Sequence, residues 1–302
     1  MLLKTAAMRA RRHPWALAGL WAWQSALALA VSWPAASLVG ATYAGHPRGD
    51  GPLWDAGGHA LLDFLWHGSR GLAGLTASAE IALSLAAIAG LLPTAAVMIA
   101  MAYATRDRRP AGFVRSVGGA ARAMPSLLWL LVIMGVAEAA TVGVGALIAV
   151  GAQAWFHDGL GEARAERVGV AVGLVFVVAA SGLGVVHDLA RAAVVCTRAT
   201  ALRALVLGAR TFGRAPLPIW WSWAWRAITA LAPVLAAAAV ATRIGGRGGG
   251  TLVLLALLHQ GVVLSRVALH ASWLAQALRL VQPPLRPSGV AFVAIPSGLR
   301  SG

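Results

Sequence analysis

Six long apolar blocks, separated by short segments that hold most of the charge, constrain this chain more than any other feature. Each block reaches the roughly 20 residues that a helix needs to cross a bilayer. The blocks are residues 15–39, 81–104, 125–150, 168–187, 218–240 and 251–273. Only 12% of the residues are charged, whereas a soluble domain has about 25%. The sequence therefore predicts an all-α polytopic membrane protein with one domain over residues 1–281 and an irregular tail over 282–302.

Three basic segments each run into proline and tryptophan at the start of a block. These joins read RHPW at 12–15, RAMPSLLW at 122–129 and RAPLPIWW at 214–221. Each of them begins an odd-numbered block, which favours a unit of two helices used three times. We therefore predict six transmembrane helices arranged as three hairpins.

The positive charges predict the orientation of these helices. Of the 25 lysines and arginines, 17 fall on one side of the predicted spans, six on the other and two within spans. Because basic segments remain on the cytoplasmic side, both termini are expected there, in the inner membrane of a bacterium. The net charge of +15 follows from this asymmetry, and no nucleic-acid partner is expected.

Two of the basic segments, 110–122 and 200–214, have the pattern of amphipathic helices. Their arginines gather on one helical face, opposite apolar residues, which is typical of an elbow helix lying on the inner leaflet. The alternative is that these segments are cytoplasmic extensions of the second and fourth spans and that their arginines are simply solvated. The candidate contacts to phosphates of anionic lipids are Arg115, Arg122, Arg203, Arg210 and Arg214.

Ionisable residues inside the apolar blocks are candidate functional residues, because such groups usually face a bundle interior or a wet cavity. The main candidates are Glu80, Glu138, His259 and Arg266. Glu138 and Arg266 fall at similar depth and are expected to pair. Three interpretations remain open: a structural ion pair with polar contacts that fix helix packing, a proton or solute pathway, and a surface for a partner subunit. Arg226 is expected to extend towards the inner interface.

A ladder of His and Asp lies in the predicted outer loop, at Asp55, His59, Asp63 and His67. His59, Asp63 and His67 are the candidate metal ligands, with His46 as an alternative third ligand. The other interpretation is an amphipathic helix over 53–67 that rests on the outer leaflet. The sequence contains neither HExxH nor GxSxG, and no cofactor is expected.

Two segments carry a resemblance to known proteins. They read RRPAGFVRSVGGAARAMPSLLWLL at 108–131 and HDLARAAVVCTRATALRALVLGARTFGRAP at 187–216. With the six spans, they resemble a group of bacterial six-helix inner-membrane proteins that includes the membrane domain preceding some glycerophosphodiester phosphodiesterases. The resemblance implies a helical membrane module, and it transfers no active-site residues because this chain has no phosphodiesterase domain.

These features favour a non-enzymatic membrane module that packs with, assembles or anchors other proteins. Its expected partners are anionic lipids and either other membrane subunits or further copies of the chain. A transporter of a small solute, lipid or ion, using Glu138, Arg266 and His259, is the alternative. A metal-dependent membrane enzyme built on the His/Asp ladder is a third hypothesis.

Overall fold

The computed structural model describes residues 14–47, 69–106, 112–244 and 249–281, which form helices and short connections without any strand. The helices of this part are α1 (Pro14–Tyr43), α2 (Ser69–Arg106), α3 (Phe113–Leu160), α4 (Glu162–Thr197), α5 (Ala201–Gly213), α6 (Pro216–Ile244) and α7 (Gly249–Val281). All except α5 are long and apolar enough to cross a membrane. The prediction of an all-α protein with six candidate membrane spans is confirmed.

The helix starts agree with two of the three basic joins and differ at the third. Helix α1 begins at Pro14 and α6 begins at Pro216. Helix α3 begins at Phe113 and continues without a break through Pro125. The expectation of a separate surface helix before Pro125 is therefore wrong for residues 113–122. Ser116 and Ala120 are fully buried, and this packing outweighs the backbone hydrogen bond that proline removes.

Helix α4 is the common partner of the other helices. Its contact with α3 is the most extensive in the structure, and it also contacts α2, α5, α6 and α7. Consecutive long helices contact each other as well, α1 with α2, α3 with α4 and α6 with α7. The short helix α5 packs mainly against α4. The final turns of α4 therefore lie among most of the other elements.

The buried core lies towards the end of the bundle that contains α5, called here the α5 end. The first turns of α1, α3 and α6 meet the last turns of α2, α4 and α7 at this end. Its largest fully buried side chains include Leu20, Met98, Met101, Leu127, Leu189, Trp273, Leu274 and Leu278. In the other half of the bundle, α3 and α4 keep many large apolar side chains exposed, among them Leu147, Val150, Leu174 and Val175.

Two glycines allow helices to approach α4 closely. A Cβ atom on Gly208 of α5 would lie 2.8 Å from the backbone nitrogen of Ala190 and 3.0 Å from the carbonyl oxygen of Val186. Nearer the middle of α4, a Cβ on Gly145 of α3 would lie 2.4 Å from the Cβ of Phe176. Backbone atoms cannot move aside as a flexible side chain can, so the seat of α5 on α4 requires glycine at position 208.

Gly208→Ala should lower the free energy of unfolding by about 1–3 kcal/mol, the usual cost of overfilling a packed contact. The control is Gly261→Ala in α7, where an added Cβ meets no atom within 4 Å. That change should leave stability equal or raise it by up to about 1 kcal/mol, because alanine is the better helix former. Denaturant unfolding of both variants in detergent micelles measures the difference. Equal stability of the two variants would contradict the close contact between α5 and α4.

Candidate functional site

A cluster of polar side chains lies inside the α5 end, where α4 meets α7. Asp188 is only 8% exposed. Its Oδ2 accepts a hydrogen bond of 2.9 Å from Nε1 of Trp273, and its Oδ1 accepts one of 3.3 Å from Nη1 of Arg191. His270, which is half-buried, lies one turn before Trp273 on α7. Asp188, Arg191, His270 and Trp273 are called here the Asp188 cluster.

The Asp188 cluster provides a buried carboxylate with hydrogen-bond donors from two helices. A buried charge is costly unless it is paired and hydrogen-bonded. Asp188 has both, an ion pair with Arg191 and an indole donor from another helix. The cluster therefore joins α4 to α7 through a contact that is specific in position, because Trp273 can donate to the carboxylate from only one rotational setting of α7.

A second ionisable pair lies directly beside this cluster. Oε1 of Glu138 on α3 is 3.6 Å from Nδ1 of His187, the residue before Asp188. This distance is too long for a hydrogen bond. The His187 side chain is buried, whereas that of Glu138 is 36% exposed. Within the described residues, Oε1 of Glu138 and Nε2 of His187 are buried atoms without a hydrogen-bond partner. The pair brings a carboxylate and an imidazole together, two groups that can exchange a proton.

Arg226 is the third buried ionisable residue of the described part, after Asp188 and His187, and it joins α6 to α7. It is 3% exposed. Its Nε donates to Oγ of Ser272 at 3.3 Å, and its Nη1 donates to the carbonyl and the hydroxyl oxygens of Ser222. Oγ of Ser222 in turn donates to Oε1 of Gln276 at 2.8 Å. The expectation that Arg226 extends to the interface is therefore wrong, because hydroxyl and carbonyl acceptors on α6 and α7 hold its guanidinium inside.

The expected pairing of Glu138 with Arg266 is absent from the described part of the chain. Glu138 lies beside His187, as described above, and Arg266 is exposed on α7. The similar depth of the two residues does not determine which face of its helix each one occupies. Glu138 belongs to the side of α3 that packs against α4, whereas Arg266 lies on an outer face of α7.

The other ionisable candidates within the spans are also on the surface. His259 is exposed and lies seven residues before Arg266, which places both on one face of α7. Glu80 is exposed near the start of the apolar part of α2. Neither Arg266, His259 nor Glu80 forms an ion pair with another described residue. These three groups present charge or polarity to whatever surrounds the helices.

The five candidate lipid-contacting arginines are all exposed, and they divide into two groups. Arg203, Arg210 and Arg214 belong to α5 and the residue after it, on the side away from the buried Ala201, Ala204 and Gly208. Arg115 and Arg122 belong to the first turns of α3, where they line a groove of about 650 Å³. Arg198, which follows the last residue of α4, lines the same groove.

The His/Asp ladder cannot be compared with the structure. Asp55, His59, Asp63 and His67 all lie outside the described residues. His46 is described, and its ring forms an edge contact with Tyr43. Within the described ranges, no group of three or more His, Cys, Asp or Glu side chains is arranged to hold a metal ion.

Sequence reasoning missed Asp188 and His187 because it ended the fourth span at the first charge. Helix α4 continues for ten residues beyond His187, to Thr197. One signal for this was available. Apolar residues continue at helical spacing after the charge, with Leu189, Ala190, Ala193 and Val194 all buried. Asp188 therefore belongs to the helix and to the core.

Comparison of the chain with known protein families, with curated proteins and with solved structures finds no match in any of the three.

Trp273→Phe should lower the free energy of unfolding by about 1–2 kcal/mol, because it leaves a buried carboxylate with one donor fewer. Trp129→Phe is the matched control, since Trp129 is 66% exposed. It should change stability by about 0.5 kcal/mol or less. Thermal unfolding in detergent, followed by near-ultraviolet circular dichroism, gives both values. A loss at Trp273 no larger than at Trp129 would show that the bond to Asp188 contributes nothing.

Proposed function

We propose that this chain is a non-enzymatic integral membrane module that binds other membrane proteins, or further copies of itself, through the bilayer-facing side of α7. The single observation that supports this function best is the exposure of Arg266 and His259 on one face of an apolar helix. A charged side chain on such a face needs a polar environment, and an associated protein supplies one.

The position of Arg266 along α7 strengthens its need for a polar environment. At a rise of 1.5 Å per residue, Arg266 lies about 25 Å from Gly249 and about 22 Å from Val281, close to the middle of the helix. The hydrocarbon core of a bilayer is about 30 Å thick. An arginine near its centre costs at least about 2.5–3.5 kcal/mol when lipid surrounds it. An acidic or carbonyl group from a neighbouring helix would remove this cost.

The surroundings of Arg266 suit a helical partner. Leu257 and Leu264 are exposed on the same helix, so a partner would meet apolar side chains around the polar ones. Helix α3 adds a further uncovered face, since Gly135, Ala139 and Gly143 are exposed at four-residue spacing. A Cβ added to either glycine meets no atom within 4 Å. Small residues at this spacing are typical of interfaces between transmembrane helices.

The same proposal includes the placement of the chain in its membrane. We infer three hairpins in a bacterial inner membrane, with both termini and the α5 end on the cytoplasmic side. Helix α5 would lie at the inner leaflet as an elbow helix, with Arg203, Arg210 and Arg214 directed towards lipid phosphates. Support comes from the excess of arginine at this end and from the resemblance to bacterial six-helix membrane domains. The expected lipids are anionic.

Reporter fusions test this orientation. Green fluorescent protein fused after Gly302 should fluoresce in cells, because it folds in the bacterial cytoplasm and not after export. Alkaline phosphatase inserted within residues 245–248 should be active, because the connection between α6 and α7 would lie on the opposite side. The reverse pattern, with an active phosphatase at the C-terminus, would overturn the proposed orientation.

Arg266→Leu tests the proposed protein association. It should still insert, because leucine is favourable in lipid, but it should lose its partner, because the polar contact is removed. We expect at least about a tenfold lower recovery of the partner polypeptide, or of a second tagged copy, after gentle solubilisation. The measurement is quantitative mass spectrometry of the purified complex. Arg243→Leu, an equal loss of charge at the end of α6, should retain the association.

A chain that purifies from native membranes without any other polypeptide, and that is monomeric in lipid nanodiscs, would refute this function. One observation then favours transport of a proton or small solute. Oε1 of Glu138 lies 3.6 Å from Nδ1 of His187 where α3 packs against α4, and each residue has a buried polar atom without a hydrogen-bond partner among the described residues. Proton flux into vesicles that contain the purified chain, abolished by Glu138→Gln, would support that second function.

A further inference from the structure

The groove at the α5 end combines positive charge with apolar walls. It lies between the first turns of α3 and the last turns of α4, and Ile99 of α2 reaches its floor. Its volume of about 650 Å³ is within the usual range for a small-molecule site. The lining therefore contains three arginines together with a hydrophobic surface from helices that are themselves firmly packed.

The three arginines approach the groove from two different helices. Arg115 and Arg122 are seven residues apart on α3 and share one of its faces. Arg198 comes from the opposite wall, at the end of α4. All three side chains are exposed, and neither Arg122 nor Arg198 has an ion-pair partner within the described residues. Arg122 and Arg198 therefore bring positive charge to the groove without an acidic partner among the described residues.

The backbone at Arg198 is unusual. Its φ of 54° lies in the left-handed region, and it is the one described residue other than glycine with a positive φ. This conformation normally belongs to glycine or asparagine at a helix C-terminus. The backbone N–H of Arg198 donates to the carbonyl oxygen of Val194 at 2.9 Å and so ends α4. The left-handed conformation is energetically unfavourable for arginine. At Arg198 it accompanies the placement of the guanidinium beside the groove.

The apolar walls distinguish this groove from an ordinary basic surface. Val194 is buried and Val195 is half-buried, and both line the groove with Ile99. Gly118 leaves room along the α3 wall, because a Cβ there would meet no atom within 4 Å. Ser126 adds a hydroxyl to the lining. A ligand that fits this chemistry has a phosphate for the arginines and a hydrocarbon part for the valines and Ile99.

We propose that this groove binds the phosphate headgroup of one anionic lipid per chain. Arginine forms strong, directional hydrogen bonds to phosphate oxygens, and phosphates of the inner leaflet lie at the depth of the α5 end in the proposed orientation. The site goes beyond the proposed association with proteins, since it requires only that the chain is embedded in a bilayer. It is also separate from the exposed arginines of α5, which do not line the groove.

The test is native mass spectrometry of the full chain released from nanodiscs that contain equal amounts of an anionic phosphatidylglycerol and a zwitterionic phosphatidylcholine. The wild type should retain one anionic lipid. Arg122→Gln with Arg198→Gln should weaken that binding by about a hundredfold, since each arginine contributes about tenfold through charge-assisted hydrogen bonds. The matched control is Arg164→Gln with Arg167→Gln, which removes the same charge from two exposed positions in the first turns of α4, away from the groove, and should retain the lipid.

A second variant tests the shape of the groove without changing any charge. Gly118→Leu should fill the empty space along α3 and reduce retention of the anionic lipid at least about tenfold, with all the arginines present. Thermal unfolding of each variant checks that the fold is intact. If the double arginine variant does not fold, the Gly118→Leu variant alone tests the site. It is expected to fold, because a side chain at position 118 extends into open space.

Two further measurements separate lipid from a soluble phosphate. Inorganic phosphate and glycerol phosphate, each added at millimolar concentration, should not displace the lipid, because neither has a hydrocarbon part for the apolar wall. Displacement by either one would identify a soluble phosphate as the ligand and overturn the lipid assignment. Equal retention of anionic lipid by the groove variants and by the control would overturn the site itself.

Discussion

The structure depends on how closely the backbones of α3 and α5 can approach α4. Helices in a bilayer gain little from the hydrophobic effect, because the surrounding lipid is equally apolar, so they associate through close packing and interhelical hydrogen bonds. Small residues make this packing possible here. Ala190, Ala192 and Ala193 of α4 are fully buried, and glycines on α3 and α5 face the same helix. The polar contacts of α4 follow from this position.

Packing of small residues does not fix how each helix is rotated about its own axis. The interhelical hydrogen bonds fix this rotation. Smooth alanine faces allow several rotational settings at similar packing energy. Trp273 bound to Asp188, Trp220 bound to Ser181 and Ser25 bound to Gln260 each favour one of these settings. Buried polar groups of this kind specify a unique arrangement even where they add little stability. Two kinds of contact therefore define the packed end of the bundle. Alanine and glycine surfaces allow close approach of the helices, and interhelical hydrogen bonds select one arrangement.

Hydropathy predicted the number of long helices well, because chain length and apolar content are properties of each segment alone. Prediction failed where a neighbour decides the outcome. Pro125 was expected to begin a helix. Instead α3 begins earlier, at Phe113, and continues through Pro125, because Ser116 and Ala120 are buried against other helices. Glu138 was assigned to Arg266 by depth, but depth does not determine which face of a helix a residue occupies. Arg198 had no sequence signal, since its role depends on a left-handed backbone and on the first turns of α3.

The position of α1 in the core has a consequence for biogenesis. Ala16 and Leu20 are buried in the same cluster as Leu274 and Leu278, so α1 contacts α7, a helix that is synthesised well over 200 residues later. Until α7 has been inserted, this surface of α1 has no final partner, although α2 is already beside it. The interior therefore closes only once α7 is in place, and a chain stalled before α7 would expose this surface of α1 to the quality-control proteases of the membrane.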